Sequence, residues 1–368
     1  MVAQAIPASF DELTPAWLTE ALRMGGVLDD GATVKEVRYE PIGLGVGVLC
    51  LLARLFLTYD GDAPGAPRTL VAKIPSPNEQ TRAMVNAFHF YEREVRFYRE
   101  VADTVGLPTP RRYYTALDPE TQDFILLLED LGDRRLGDQL AGALPEEAAL
   151  AISELARLHA PWWNAPELQR FAWMPTSNSP VNKAGLALYP QAWPIFRERF
   201  GADLPPRLQT VGERLTTAAF QILERFATGP QTICHGDYRI DNFFFGTAPG
   251  HAPLAVIDWQ IVLRSAGPYD VGYFLSQSVA PALRQQLERD LLRQYHEALL
   301  AGGVRDYSFD QCLSDYRWTM LICFVYPVMG GAMADLGNER GRQLMQAMYE
   351  RSATAILDWD ADRLLDEL

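Results

Sequence analysis

Two rhythms of apolar and polar positions divide the chain near residue 130. Before it, stretches rich in β-branched and large apolar residues alternate with turn-formers. Val34–Pro41, Val48–Tyr59 and Arg68–Ile74 are separated by GLGVG (43–47) and DGDAPGAP (60–67). Such runs, bounded by Gly, Pro and Asp, predict antiparallel strands joined by hairpins. A helical period follows over about Glu79–Asp103. A further strand pair is expected at Arg111–Leu117 and Phe124–Glu129, joined by the turn DPETQD. At the start of the chain, Thr14 as N-cap, Pro15 at the first helical position and Gly25-Gly26 as the stop predict a helix over 14–24.

Beyond residue 130 the period is mostly helical, clearest at 145–160, 206–227, 282–301, 309–329 and 338–357. One β-like island interrupts it, FFF (243–245) and LAVI (254–257), joined by GTAPGHAP. Residues 161–205 are aromatic and Pro-rich, and read as an irregular insertion or pocket wall. The expected fold class is α+β: a small antiparallel β lobe with one main helix over 1–130, then a larger, mostly helical lobe over 131–368.

Composition narrows the function classes. Of 368 residues, 48% are apolar and 22% charged, a globular balance, and the net charge is −14. A field of that sign repels phosphate backbones and anionic membranes, so nucleic acid and membrane surfaces are excluded as expected partners. No apolar run reaches the ~18 residues a membrane span requires. Asp11 and Glu12 stand where a secretory signal would carry basic and then apolar residues. Cys50, Cys234, Cys312 and Cys323 are scattered among apolar neighbours, which predicts buried thiols and a cytoplasmic protein. The five histidines show no zinc spacing. Only three lysines occur, Lys35, Lys73 and Lys183, so chemistry that needs an ammonium has few places to reside.

The sharpest local pattern is ICHGDYRIDNFFF (233–245). Asp237 and Asn242 lie five apart in a short polar loop between apolar segments, and Asp258 follows sixteen residues later in AVIDWQ, at a strand end. Phosphoryl transfer needs a carboxylate to orient and deprotonate a hydroxyl, and hard oxygen ligands to hold Mg²⁺ on nucleotide phosphates. Asp237 is the candidate base; Asn242 and Asp258 are the candidate metal ligands. Singly, each would be an ordinary loop carboxylate or amide. The ordered set is what carries the reading. Gly43, Gly45 and Gly47 lie between the first two strands, where backbone amides could cover a triphosphate; the same pattern also makes a plain hairpin turn.

The arrangement H-G-D-x-x-x-x-N followed by I-D-W resembles the aminoglycoside phosphotransferase and choline kinase-like branch of the protein kinase-like superfamily. With LLLEDLG (126–132), it is most similar to the bacterial members grouped with the choline kinase-like and ecdysteroid kinase-like enzymes. The resemblance implies a bilobal protein kinase-like fold, ATP and Mg²⁺ as cofactors, and a small-molecule alcohol as substrate. It also implies a lysine on the third strand paired with a helix glutamate. Lys73, in TLVAKIP, is the only lysine inside an apolar strand followed by a helix; the plain alternative is a strand-end lysine facing water. At ~100° per residue, Met84, Phe88, Tyr91, Val95 and Tyr98 form one apolar stripe, and Phe90, Phe97 and Val101 a second. Glu94 falls between them. A carboxylate in a buried arc needs a cation to offset its desolvation, so Glu94 is assigned to Lys73, with Glu92 as the other candidate.

In the connector, backbone groups near Glu129, Asp130 and Leu131 would hold the adenine edge, though a strand followed by a turn would read the same. Tyr238 and Arg239 in the loop, and Trp162 and Trp163 in the aromatic run, are candidate substrate contacts. His235 is expected to brace the loop, His159 to pack in the core at a helix end, and Asp270 to cap the helix after Asp258. No segment like a protein kinase's A-P-E region follows Asp258, which removes the usual platform for a protein substrate. The expected activity is ATP-dependent phosphorylation of an apolar or hydroxyacyl-type alcohol. The alternatives are a cationic alcohol such as choline or an aminoglycoside, and a catalytically silent nucleotide-binding module. Residues 161–205 carry three acidic residues (Glu167, Glu198, Asp203) against four basic ones, which favours the apolar or anionic alcohol.

Overall fold

The computed structural model describes residues 4–43, 49–201, 204–333 and 339–368. They form two compact units. The first comprises residues up to 104, 108–135 and 257–260; the second comprises 105–107, 136–256 and 261–368.

In the first unit, helix α1 (Pro15–Met24) begins where Thr14 Oγ1 accepts from Trp17 N at 3.2 Å, with Pro15 at its first position. Strands β1 (Thr33–Ile42), β2 (Cys50–Asp60), β3 (Thr69–Pro75), β4 (Arg112–Leu117) and β5 (Phe124–Glu129) build one antiparallel sheet in the order β1-β2-β3-β5-β4. Alternation along each strand sorts the side chains onto two faces. Leu55, Leu57, Leu70, Ala72, Ile74, Ile125 and Leu127 face a core completed by Leu18, Ala21 and Leu22 of α1. Lys73, between Ala72 and Ile74, therefore points from the opposite face, opposite Leu52 of β2 and Leu126 of β5.

The single helix expected over 79–103 is two helices, α2 (Glu79–Ala87) and α3 (Phe90–Glu100). His89 separates them in the left-handed region at φ 55°, a conformation that ends one helix and resets the phase of the next. Within α3, Tyr91, Glu94, Val95 and Tyr98 share one buried stripe, and the Tyr91 ring packs 4.3 Å from that of Phe124.

In the second unit, after the short β6 (Arg135–Leu136), come helices α4 (Pro145–His159), α5 (Pro180–Leu186), α6 (Tyr189–Phe200) and α7 (Pro206–Thr228). Then follow β7 (Thr232–Cys234), β8 (Phe243–Phe245), β9 (Leu254–Val256) and β10 (Leu263–Ser265). The chain continues through α8 (Pro268–Ser278), α9 (Pro281–Ala301), α10 (Phe309–Met333) and α11 (Glu339–Asp358). The expected hairpin is β8–β9; sequence reading did not anticipate the antiparallel pair β7–β10, each strand only three residues long.

The segment 161–205 is more ordered than its composition predicts. It contains α5 and α6, with Pro180 and Pro190 in first turns, where a missing N–H costs nothing. Tyr189, Trp193 and Phe196 of α6 are buried and stack in series, so these aromatics are core. All four cysteines are free and buried, and no helix among the described residues is long and apolar enough to cross a membrane.

Candidate active site

The predicted residues form two groups, one in each unit. In the first unit, Lys73 Nζ lies 2.6 Å from Glu94 Oε2 and 3.1 Å from Asp258 Oδ1. Lys73 and Glu94 are both buried, so the pair exchanges two desolvation penalties for one close attraction. Burial pushes the Glu94 carboxyl up to about 7 against the pull of Lys73, and the surrounding carboxylates hold the Lys73 ammonium protonated. Glu92, the other candidate, faces outward and pairs with Arg96 at 3.2 Å. Cys50, beside Lys73, is a buried neutral thiol whose pKa desolvation raises to about 12.

Asp258 enters this unit on the segment 257–260, in the left-handed region at φ 66°. Asp tolerates that region better than most residues, and such strain collects at functional sites. Two contacts fix it: the Trp259 ring stacks on Phe97 of α3 at 3.9 Å and 7°, and Gln260 Nε2 donates to Asp258 Oδ2 at 3.2 Å. Helix α3 thus carries Glu94 to Lys73 and Phe97 to Trp259, three residues apart on one face.

The connector side chains hold the strand end. Asp130 pairs with Arg54 at 2.7 Å and accepts from Gly132 N; Glu129 accepts from Arg111 N and Arg134, each at 3.0 Å; Leu131 is buried. Of the backbone groups expected at the adenine edge, Glu129 N donates to Arg111 O at 2.8 Å and Leu131 O accepts from Arg134 N at 2.9 Å. Gly43 adopts φ 68° at the end of β1; Gly45 and Gly47 lie outside the described residues.

In the second unit, residues 235–242 form a tight loop between β7 and β8. Gly236 has φ 88°, and a Cβ there would lie 2.4 Å from Ile261 O, so only glycine fits. Asp237 N donates to His235 Nδ1 at 3.2 Å, so His235 braces the loop. Asn242 Nδ2 donates to Asp237 O at 2.9 Å and to Asp237 Oδ2 at 3.1 Å. That consumes the amide's donors and turns its Oδ1 elsewhere. A hard cation takes an amide oxygen or a carboxylate oxygen, so the donor chemistry of Asn242 and of Asp258, each by itself, fits a Mg²⁺ role.

Two expectations change here. Asp270 is not an N-cap: Gly267 holds that position, and Asp270 lies within the first turn of α8, fully buried. Its carboxylate accepts from His235 N at 2.7 Å and Gly236 N at 3.0 Å, with His159 Nε2 at 3.3 Å. It anchors the loop by its backbone. Tyr238 is fully buried, its hydroxyl donating to Ala151 O at 2.9 Å and its ring packed on Phe243 and Phe274, so it is a core anchor with no face for substrate. Arg239 is bound to Asp237 at 3.2 Å and Asp241 at 3.4 Å, and these carboxylates raise its pKa further. Trp162 and Trp163 are half-buried, against Phe171 and Tyr307.

One contact escaped the sequence reading. Tyr273 Oη donates to Asp237 Oδ1 at 2.6 Å. The signal was available: Asp270 and Tyr273 are i, i+3 in GPYDVGYFL, so one helix face presents both to the loop.

A five-stranded antiparallel sheet with a buried lysine–glutamate pair, followed by a helical unit, defines the protein kinase-like fold. Solved structures agree. Choline kinase from Cryptosporidium parvum superimposes with a TM-score of 0.53 at 10% identity, covering 97% of this chain and 94% of that one. Ethanolamine kinase from Plasmodium vivax gives 0.50 at 11% identity, covering 88% and 81%. These likenesses show the fold. Curated proteins give no match. Residues 48–303 match the model of the ecdysteroid kinase-like family, and the chain belongs to that family.

Proposed function

We propose that the protein transfers the γ-phosphoryl group of ATP to the hydroxyl of a small, apolar alcohol. The observation that carries this is the buried Lys73–Glu94 pair with the half-buried Asp258 at its side, since burying two charges serves structure poorly and phosphate binding well. Lys73 holds the α- and β-phosphates, and Glu94 keeps its ammonium in place. Asp237 accepts the proton of the acceptor hydroxyl as it attacks. Asn242 and Asp258 would hold Mg²⁺, which neutralises charge developing on the phosphates. Backbone groups near Glu129–Leu131 face the adenine.

The choline and ethanolamine kinases of like fold, and the family's name, support a small alcohol as acceptor. The apolar preference rests on residues 161–205, which lack a carboxylate cluster. Burial of Phe171, Tyr189, Trp193 and Phe196 leaves Trp162, Trp163, Trp173 and Phe200 as the aromatics there with exposed surface. Four reduced, buried cysteines fit a cytoplasmic setting. The test is ADP release from Mg-ATP with hydroxyacyl-CoA, sterol, terpenoid, choline and aminoglycoside side by side. Turnover with one of the first three supports the reading. Turnover only with choline or the aminoglycoside overturns the apolar preference, and Mg-ATP binding without turnover on any acceptor favours a silent module.

A further inference from the structure

The carboxylate of Asp237 has a countable set of partners. An ionised carboxylate offers about four acceptor directions, two on each oxygen. Oδ2 accepts from Asn242 Nδ2 at 3.1 Å and Arg239 Nε at 3.2 Å, which fills it. Oδ1 accepts from Tyr273 Oη at 2.6 Å, and among the described residues that is its one partner. The remaining direction is therefore on Oδ1, beside the phenol.

Tyr273 is itself firmly set. It is buried on α8, its ring 5.3 Å from that of Tyr326 and 6.5 Å from that of Tyr269, and the Tyr269 and Tyr326 hydroxyls hydrogen-bond each other. Asp270, one helical turn earlier, holds the backbone of His235 and Gly236. One helix thus fixes both the loop's backbone and its carboxylate.

We propose that Tyr273 is a positioning residue: its phenol sets the rotation of the Asp237 carboxylate and leaves the second direction of Oδ1 as the place where the acceptor hydroxyl delivers its proton. The proposal rests on Asp237 being the base. In the step, the acceptor O–H bond breaks and its proton passes to Oδ1. The acceptor oxygen bonds to the γ-phosphorus, and the bond to the β-γ bridging oxygen breaks, with its electron pair leaving on ADP. Tyr273 keeps its proton throughout. Burial and the neighbouring Asp237 charge raise its pKa, which keeps it a donor.

Tyr273→Phe removes the hydroxyl and keeps the ring. The assay is ADP release from Mg-ATP with water as acceptor, at high enzyme concentration and neutral pH, for wild type, Tyr273→Phe and Asp237→Asn. For Tyr273→Phe, kcat should fall about tenfold or more, the loss of one hydrogen bond to a charged group. KM for Mg-ATP should stay unchanged, the split expected of a group that acts on the transfer step and not on nucleotide binding. Wild-type kcat in Tyr273→Phe, alongside an inactive Asp237→Asn, overturns the proposal alone. An active Asp237→Asn overturns the base assignment beneath it. Should Tyr273→Phe fail to fold, 3-fluorotyrosine at position 273 decides: a changed kcat with an unchanged KM for Mg-ATP supports the proposal, and an unchanged kcat contradicts it.

Discussion

Lys73 and Asp237 are held by opposite means. Lys73 is fixed by charge: two carboxylates, one from a helix and one from a distant segment, offset its burial. Asp237 is fixed by hydrogen bonds, to a tyrosine, an amide and a guanidinium, on a loop whose backbone is tied to Asp270. The first arrangement suits a group that must stay cationic for phosphates; removing any member leaves a buried charge exposed to its own desolvation cost. The second suits a base, because donors fix its orientation while one direction stays open for a proton. The two regions should therefore fail differently.

The largest difference lies in turnover. Asp237→Asn should lower phosphoryl transfer about 10³-fold, within the range for loss of a general base, with little change in melting temperature. Lys73→Met should weaken Mg-ATP binding by tenfold or more. It should also cost about 3 kcal/mol in urea denaturation, since Glu94 and Asp258 lose their cation. Asp270→Asn leaves the donors of His235 and Gly236 one strong acceptor short, for about 2 kcal/mol in the same measurement, and loosens the loop enough to lower turnover. Glu92→Gln weakens half-buried contacts with Arg96 and His89 and should cost under about 0.5 kcal/mol. A cost for Glu92→Gln equal to that of Glu94→Gln would erase the distinction between the two carboxylates.

Much of this was readable from spacing. The strand rhythm before residue 130 located the sheet, and only Lys73 among three lysines sat in an apolar strand. Glu94 could be chosen over Glu92 because apolar neighbours three and four residues away place it on a buried arc. What escaped depends on tertiary geometry. The left-handed turn at His89 has no local signature, since histidine is not a turn-former of Gly or Asn strength. Pro and aromatic residues made 161–205 look irregular, yet prolines in first turns are compatible with helix, and the aromatics of α6 fill the core. Asp270 read as a cap because a cap and a loop anchor both place an acid at a helix start. Only the positions of the His235 and Gly236 amides separate them. Tyr238 looked available because the loop around it is polar, whereas its ring turns inward onto Phe243.

The division of labour between the two regions can be read in one calorimetric titration of Mg-ATP into Asp237→Asn and Lys73→Met, with phosphoryl transfer measured on the same samples. The account predicts that Asp237→Asn binds Mg-ATP within about threefold of wild type yet transfers about 10³-fold more slowly, while Lys73→Met loses binding by about tenfold or more. Loss of binding in Asp237→Asn with retention in Lys73→Met, or transfer by Asp237→Asn near the wild-type rate, would contradict it.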